Sequence, residues 1–313
     1  MSAQDTQILP LDPQAIECAA ALIVAGRPVA IPTETVYGLA ARADDGAAVA
    51  AIYEAKGRPS FNPLIIHVLS LDQAERIARF DDRARGLAKR YWPGPLTLVL
   101  PLREDAAIAS LATAGLDTIA LRVPAHPAMR ALLEATGLPL AAPSANASGA
   151  ISPTRAEHVL ASLGGRIPLI VDAGATALGL ESTIVRVTGD AIELLRPGPV
   201  TADELGAVSP RADGRVTAPG QLASHYAPAK PLRLEAGHAR EDEYLIGFGS
   251  VDGDSNLSPS ADLAVAAANL FDYLHKADAS PRPAIAVAPI PETGLGVAIN
   301  DRLRRAAAPR SPS

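Results

Sequence analysis

The sequence predicts an α/β protein built on a twisted mixed sheet with flanking helices, joined to a second, smaller α/β unit near the C-terminal end. Three observations predict this. Segments of helical period alternate with short apolar runs up to about Thr201, several apolar runs follow one another without a helix between them, and alternation resumes beyond a Pro- and Gly-rich stretch. The 313 residues are 48% hydrophobic and 20% charged, enough for one large domain or two modest ones.

The elements follow in order. Helical periodicity over 15–25 stops at Gly26, which suits a left-handed cap, and "RPVAIP" follows as a strand. The stretch "IPTETVYGLA" then leaves the apolar run, sets two hydroxyls and a carboxylate among Pro and Tyr, and returns to small apolar residues. Flanks that dive into a core make a lined pocket the reading to test there. Next come helix "AAVAAIYEA", strand "PLIIHVL", a helix near "DDRARGLAKRY", strands "LTLVLP" and "TIALRVP", helix "PAMRALLEA" and strand "PLAAPS". "TRAEHVLASLGG" reads as a helix with Thr154 as N-cap, Glu157 as its capping-box partner and Gly164 near its end. "IPLIVD", "STIVRV" and "AIELLRP" are consecutive strands, which requires some antiparallel pairing and argues against a purely doubly wound sheet.

From Thr201 to Pro231 the chain is rich in Pro, Gly and polar residues and keeps no period, as a long linker would. Beyond it, "EYLIGFGS", "ADLAVAAANLFDYLHKAD", "PAIAVAPI" and "GVAINDRLRRAA" form a small Rossmann-like βαβα unit. The expected boundaries are therefore 1–205, 206–232 and 233–313.

Charge and composition remove several classes of function. A net charge of -6 and a pI near 5.5 give no broad basic field, so stable tRNA binding is not expected. The segment "MSAQDTQILPLDPQ" lacks a positive, apolar leader and no later apolar run is long enough to span a bilayer, so the expectation is a cytoplasmic protein without membrane contact. Cys18, within "AIECAAALIVAG", is expected to be a buried structural thiol.

The candidate chemistry is local. Lys56 and Arg58 lie in a loop bounded by Pro59 and Pro63, where residues two apart face the same way and could converge on one polyanion, with Asn62 adding an amide. A solvated basic turn accounts for that loop equally well. His67 lies near the end of the strand that follows. "AAPSANASGAISPT" strings Ser144, Asn146 and Ser152 between a strand and a helix, where small side chains let an anion reach backbone N–H groups. It matches neither a Walker pattern nor G-x-G-x-x-G, and a structural Ser/Asn turn also fits. Thr118 and Arg122 share one face of a strand, and a charge in that apolar run needs a carboxylate or phosphate, whether its own chain's or a ligand's. Ser182 and Thr183 open another strand, and Arg196 precedes a Pro-Gly turn. Several cations and small hydroxyls, with no metal-ligand cluster and no nucleophile–base pair, suit an anionic nucleotide and a polar small molecule.

Taken in order, "PTETVYGLA", "KGRPSFNPL", "WPGPLT", "ALRVP", "PSANASG", "ESTIV", "RPG" and "PGQLASHYAP" resemble the YrdC-like threonylcarbamoyl-AMP synthases, in the long form with an extra C-terminal domain. The resemblance spans nearly the whole chain. It implies a nucleotidyltransferase that converts L-threonine, bicarbonate and ATP into threonylcarbamoyl-adenylate and pyrophosphate, with Mg2+ accompanying ATP. A downstream tRNA threonylcarbamoyl-transferase complex would then modify tRNA position 37. It places threonine on Thr35, His67, Arg122, Ala142 and Ser182. It places ATP on Arg58, Asn62, Thr118, Ser144, Ser152, Arg196 and Tyr226, with Lys56 and Arg58 as the catalytic cations and no metal ligand among the side chains. In this chain "LAS" precedes "HYAP" where the long form often shows Tyr or Arg, so the linker's phosphate contact is expected to be weaker or to come from His225 or backbone. The alternatives are a double-stranded RNA or tRNA-binding module, against which the acidic balance stands, and a carbamoyl-adenylate enzyme of hydrogenase maturation, against which the lack of any C-x-x-C pair stands. Pro219 and Gly220 make the linker a candidate lid.

Overall fold

The computed structural model describes residues 5–189, 191–206, 208–210 and 224–309. In chain order these form β1 (Gln7–Pro10), α1 (Pro13–Val24), β2 (Val29–Pro32), β3 (Tyr37–Arg42), α2 (Gly46–Lys56), β4 (Ile65–His67), α3 (Leu71–Glu75) and α4 (Asp82–Tyr91). Then follow β5 (Leu96–Pro101), β6 (Thr118–Arg122), α5 (Pro127–Thr136), β7 (Leu140–Ala141), α6 (Ala156–Leu163), β8 (Leu169–Asp172), β9 (Thr183–Thr188), β10 (Ala191–Arg196), α7 (Ala202–Leu205) and β11 (Ser209–Pro210). The remaining elements are β12 (Leu232–Arg233), β13 (Glu243–Gly247), β14 (Ser255–Asn256), α8 (Leu263–Ala279), β15 (Ala284–Val287) and α9 (Leu295–Ala307).

The first eleven strands make one mixed sheet in the order β1-β8-β2-β3-β7-β4-β6-β5-β9-β10-β11. Antiparallel pairing joins β2 to β3, β5 to β6 and β9 to β10, while β4 and β6 run parallel. Alternate residues of β2 enter different cores: Ala30 joins the cluster under α2, α4 and α6, whereas Val29 and Ile31 join the cluster under α1 and α5. Helices therefore cover both faces. Strand β3 is absent from the sequence reading because "YGLAAR" is buried on both sides and shows no alternation.

Helix starts follow the local chemistry in most cases. The Asp12 carboxylate accepts from Ala15 N at 2.7 Å, Asp45 caps α2, and Gly57 ends α2 at φ 58°. The predicted capping box at Thr154 does not form. Helix α6 starts one residue later, with Arg155 as N-cap, because buried Thr154 turns to His158 and its N–H donates to His158 Nδ1 at 3.3 Å.

The second sheet, β12-β15-β13-β14, is parallel and carries α8 and α9. The predicted βαβα unit is β13–α8–β15–α9, to which β12 and β14 add short edges. Its core includes Val36, Ile151 and Leu180 of the first sheet's loops, so the two units share one apolar cluster. Gly179 permits their contact: at φ 69° its missing Cβ would lie 2.4 Å from the Ala267 carbonyl of α8. The proposed hinge residues Pro219 and Gly220 lie outside the described residues.

Candidate active site

Strands β4 and β6 run side by side with His67 opposite Arg122, so both side chains arrive at the carboxyl ends of two parallel strands, where open α/β sheets place ligands. The β2–β3 turn folds over them. Thr33 Oγ1 donates to Val36 O at 2.7 Å and accepts from the Thr35 and Val36 N–H groups, closing a tight turn that is buried throughout. This answers why Thr33, Glu34 and Thr35 interrupt an apolar run: the turn aims Glu34 and Thr35 at Arg122. Arg122 Nη1 donates to Thr35 Oγ1 at 3.0 Å, Nε to the Gly94 carbonyl at 3.1 Å, and Nη2 comes within 2.6 Å of Glu34 Oε1. Burial alone would raise the Glu34 carboxyl, but the Arg122 charge and hydrogen bond more than offset this and hold it below the usual range.

Three more buried cations, Arg58, Arg196 and Lys56, stand nearby. Arg58 donates to the carbonyls of Asn62 at 3.4 Å and Pro63 at 3.1 Å. Arg196, at the end of β10, donates to Ser182 O at 3.0 Å and Ser182 Oγ at 3.1 Å. Gly198 lets the chain pass there, since a Cβ would lie 2.5 Å from Thr183 N. Lys56 Nζ donates to the Ser144 carbonyl at 2.6 Å and to that of Asn146, tying the "PSAN" loop to the end of α2. These partners are neutral oxygens, so burial pulls Arg58 down to about 10 and lowers both Lys56 and Arg196. With no carboxylate partner among the described residues, these three buried cations favour a bound anion.

One cavity gathers Thr35, His67, Arg122, Ala142 and Ser182 with Arg58, Ser144, Arg196 and Tyr226, and adds Thr33, Glu181 and His225 to its wall. Four of the residues that the resemblance assigns lie outside that lining. Lys56 acts on the loop from behind. Asn62 is buried, and neither amide atom has a hydrogen-bond partner among the described residues. Ser152 Oγ donates to Glu181 Oε1. Thr118 stands at the other end of β6, in a separate depression with Arg79, Phe80 and Arg186. The sequence reading missed Glu181 and the Gly94 carbonyl. Each had a signal, since "ESTIV" and "WPGPLT" were recognised as motifs, but nothing local tells which atom faces the site.

His67 is buried, and burial together with the Arg122 charge pushes it down to about 3. His158 falls to about 3 by burial and its neighbour His275, while burial and Arg58 hold His225 well below its ordinary value. Below about pH 6.5 the unfolded chain takes up protons that these folded-state imidazoles refuse, so stability falls as the pH drops from there towards 3. The slope is on the order of 1.4 kcal/mol per pH unit for each histidine fully affected. Melting temperatures at constant ionic strength should decline from pH 6.5 to 4.5, less steeply for His67→Gln. Parallel curves for the two proteins would contradict the assignment for His67.

The fold and cavity define an α/β protein that sets the buried cations Arg58, Arg122 and Arg196 around one cavity at the end of a mixed sheet. Residues 21–198 match the Sua5/YciO/YrdC family model, described as telomere recombination, and residues 187–308 match the model described as threonylcarbamoyl-AMP synthase, C-terminal domain. The chain belongs to the Sua5/YciO/YrdC family, in the form that carries the additional C-terminal domain. It is 42% identical to the threonylcarbamoyl-AMP synthase of Bacillus subtilis strain 168, over 96% of this chain and 94% of that one. The Pyrococcus abyssi enzyme of the same name is also 42% identical, over 93% of each chain. The crystal structure of P. abyssi Sua5 complexed with L-threonine superposes with a TM-score of 0.89 at 39% identity, covering 96% of this chain and 98% of that one.

Proposed function

We propose that this chain is an L-threonylcarbamoyladenylate synthase, a nucleotidyltransferase acting on L-threonine, bicarbonate and ATP. The observation that carries this is the set of cations in one cavity: Arg122, held by Glu34 and Thr35, and Arg58 and Arg196, which have no carboxylate partner among the described residues, with Lys56 tying down the loop behind them. The first suits an amino-acid carboxylate and the second a polyphosphate. The relative crystallised with L-threonine supports the first half, and the names of the curated relatives support the reaction.

In this reading Arg122 clamps the threonine carboxylate, while Thr35, His67, Ser182 and backbone at Ala142 surround its amine and hydroxyl. Neutral His67 can accept a hydrogen bond from either group. The amine adds to the carbon of bicarbonate with loss of water, giving a carbamate. A carbamate oxygen then bonds to the α-phosphorus as the bond to the β-phosphate oxygen breaks, and pyrophosphate leaves. Every participant is anionic, so Arg58 and Arg196 contribute by offsetting repulsion and holding leaving charge, and Lys56 by fixing the Ser144–Asn146 loop. Asn62, Ser144, Ser152 and Tyr226 are assigned to the nucleotide side; Thr118, at the other end of β6 in a separate depression, is not.

Glu34 and Glu181 are already engaged by Arg122 and Arg302, and among the described residues no three His, Cys, Asp or Glu side chains converge. We place Mg2+ with the ATP phosphates and route no step through it. Catalysis is assigned to 1–205, a covering segment to 206–232 and a supporting domain to 233–313. Among the described residues no helix is long and apolar enough to cross a membrane. We assign the protein to the cytoplasm, supplying its adenylate to a tRNA-modifying transferase.

The direct test is pyrophosphate release from ATP with threonine and bicarbonate each omitted in turn; release that ignores either omission would refute the reaction. Selectivity checks the pocket. Serine should lose roughly 1–3 kcal/mol in kcat/KM for want of the methyl, and valine should fail because polar groups meant for the hydroxyl go unpaired. Equal turnover of valine and threonine would remove Thr35, His67 and Ser182 from the amino-acid side.

A further inference from the structure

Among the described residues Arg302 is a fully buried charge, and it belongs to α9 of the C-terminal domain. Its Nε donates to Glu181 Oε2 at 2.8 Å, across the boundary between the two sheets. Glu181 lines the active-site cavity, and its other oxygen accepts from Ser152 Oγ. The Arg302 guanidinium also lies 5.2 Å from the Tyr226 ring centroid, the geometry of a cation–π contact. Asp301 holds Nη1 at 2.7 Å and fixes the fork from the other side. Ser152 is gripped a second time by the same domain, since His275 Nε2 of α8 lies 3.1 Å from its carbonyl.

A buried charge of this kind carries a large desolvation cost, and a purely cohesive interface would be served as well by apolar side chains of the same volume. The surrounding interface is in fact apolar, with Leu180, Leu270, Phe271 and Ile299 in one cluster. A second ion pair crosses the boundary, Arg155 with Asp272 of α8 at 3.0 Å, but Arg155 is partly exposed there and neither residue lines the cavity; the fully buried charge sits where Glu181 turns into the cavity. We propose that Arg302 is a positioning residue of the active site: through Glu181 it sets Ser152, and through its face it seats Tyr226, so that the nucleotide wall is complete only when α9 is docked. This rests on the assignment of Ser152 and Tyr226 to the nucleotide side. The C-terminal domain would then act on ATP without touching it.

The test is a double-mutant cycle in the full chain, read as KM for ATP and for threonine separately, with melting temperature alongside. Arg302→Met keeps volume and removes the fork; it should raise the ATP KM at least tenfold and move the threonine KM less than twofold. It also strands the Glu181 carboxylate, so part of its effect is instability. Arg302→Met with Glu181→Gln removes both charges. For a merely cohesive ion pair this double variant should regain both melting temperature and ATP KM. For a positioning residue it should regain melting temperature while the ATP KM stays raised, and Arg302→Lys, which can still reach one oxygen, should fall between. Recovery of ATP KM in the double variant overturns the proposal, as does a rise confined to threonine. Ser152→Ala separates this from the nucleotide assignment: an unchanged ATP KM there removes Ser152 from the wall, whatever the cycle shows.

Discussion

Replacing Arg122 by Ala is expected to raise the KM for threonine more than a hundredfold while the KM for ATP moves less than threefold. The guanidinium is the one cation among the described cavity residues that has a carboxylate, Glu34, at 2.6 Å, and it is only 3% exposed. Truncating one member of a buried pair leaves the other charged and unpaired, at a cost of about 3–5 kcal/mol. Arg122→Ala will therefore melt early as well as bind badly, and a single variant cannot separate the two effects. The double variant Arg122→Ala with Glu34→Gln does so, because it removes the stranded charge. It should recover most of the lost melting temperature and almost none of the threonine affinity, since no planar fork remains to meet a carboxylate. Recovery of both would make the pair structural, and a selective loss of ATP affinity would reverse the assignment of the two cation groups.

Much of this site was legible in the sequence because its residues break local rules. Arg122 stands out as a charge in the run "TIALRVP", and Lys56 and Arg58 stand out because prolines end the helix around them. What was not legible is pairing over long separations. The Thr35 hydroxyl that meets Arg122 lies 87 positions away, and only the β4–β6 register and the β2–β3 turn bring the two together. Lys56 shows the same limit. Its position pointed to a shared polyanion, but its ammonium is spent on two loop carbonyls, which no spacing rule reports. Thr154 looked like a helix cap and was drawn to His158 instead, so tertiary contact overrode propensity. Arg302 was hidden by its neighbours, since "DRLRR" reads as a solvated face. The signal was the stripe Ile299, Leu303 and Ala306, which places position 302 beside the buried side of α9.

Cutting the chain after Gly206 is expected to leave a folded protein with almost no synthase activity. Folding is expected because the two clusters that pack the large sheet draw no residue from the C-terminal domain. Removing that domain uncovers Val36, Ile151 and Leu180, an apolar patch that will lower solubility without opening the core. Activity should go because two features of the cavity go with it. His225 and Tyr226 leave the wall, and Glu181 and Ser152 lose Arg302. A carbamate and a mixed anhydride both react with water, so an open wall loses intermediates as well as ATP affinity. Point variants grade the loss. Tyr226 is fully buried, and its hydroxyl has no partner among the described residues. Tyr226→Ala opens a ring-sized cavity at about 3–5 kcal/mol and should release pyrophosphate while yielding little adenylate, because water reaches the intermediate. Tyr226→Phe keeps the ring and should hold that coupling, losing only whatever the hydroxyl gives the nucleotide. The measurement is the ratio of adenylate formed to pyrophosphate released. A truncated protein with the full-length ratio and rate would take everything beyond Gly206 out of the mechanism. A Tyr226→Phe variant as uncoupled as Tyr226→Ala would shift the protection from the ring to the hydroxyl.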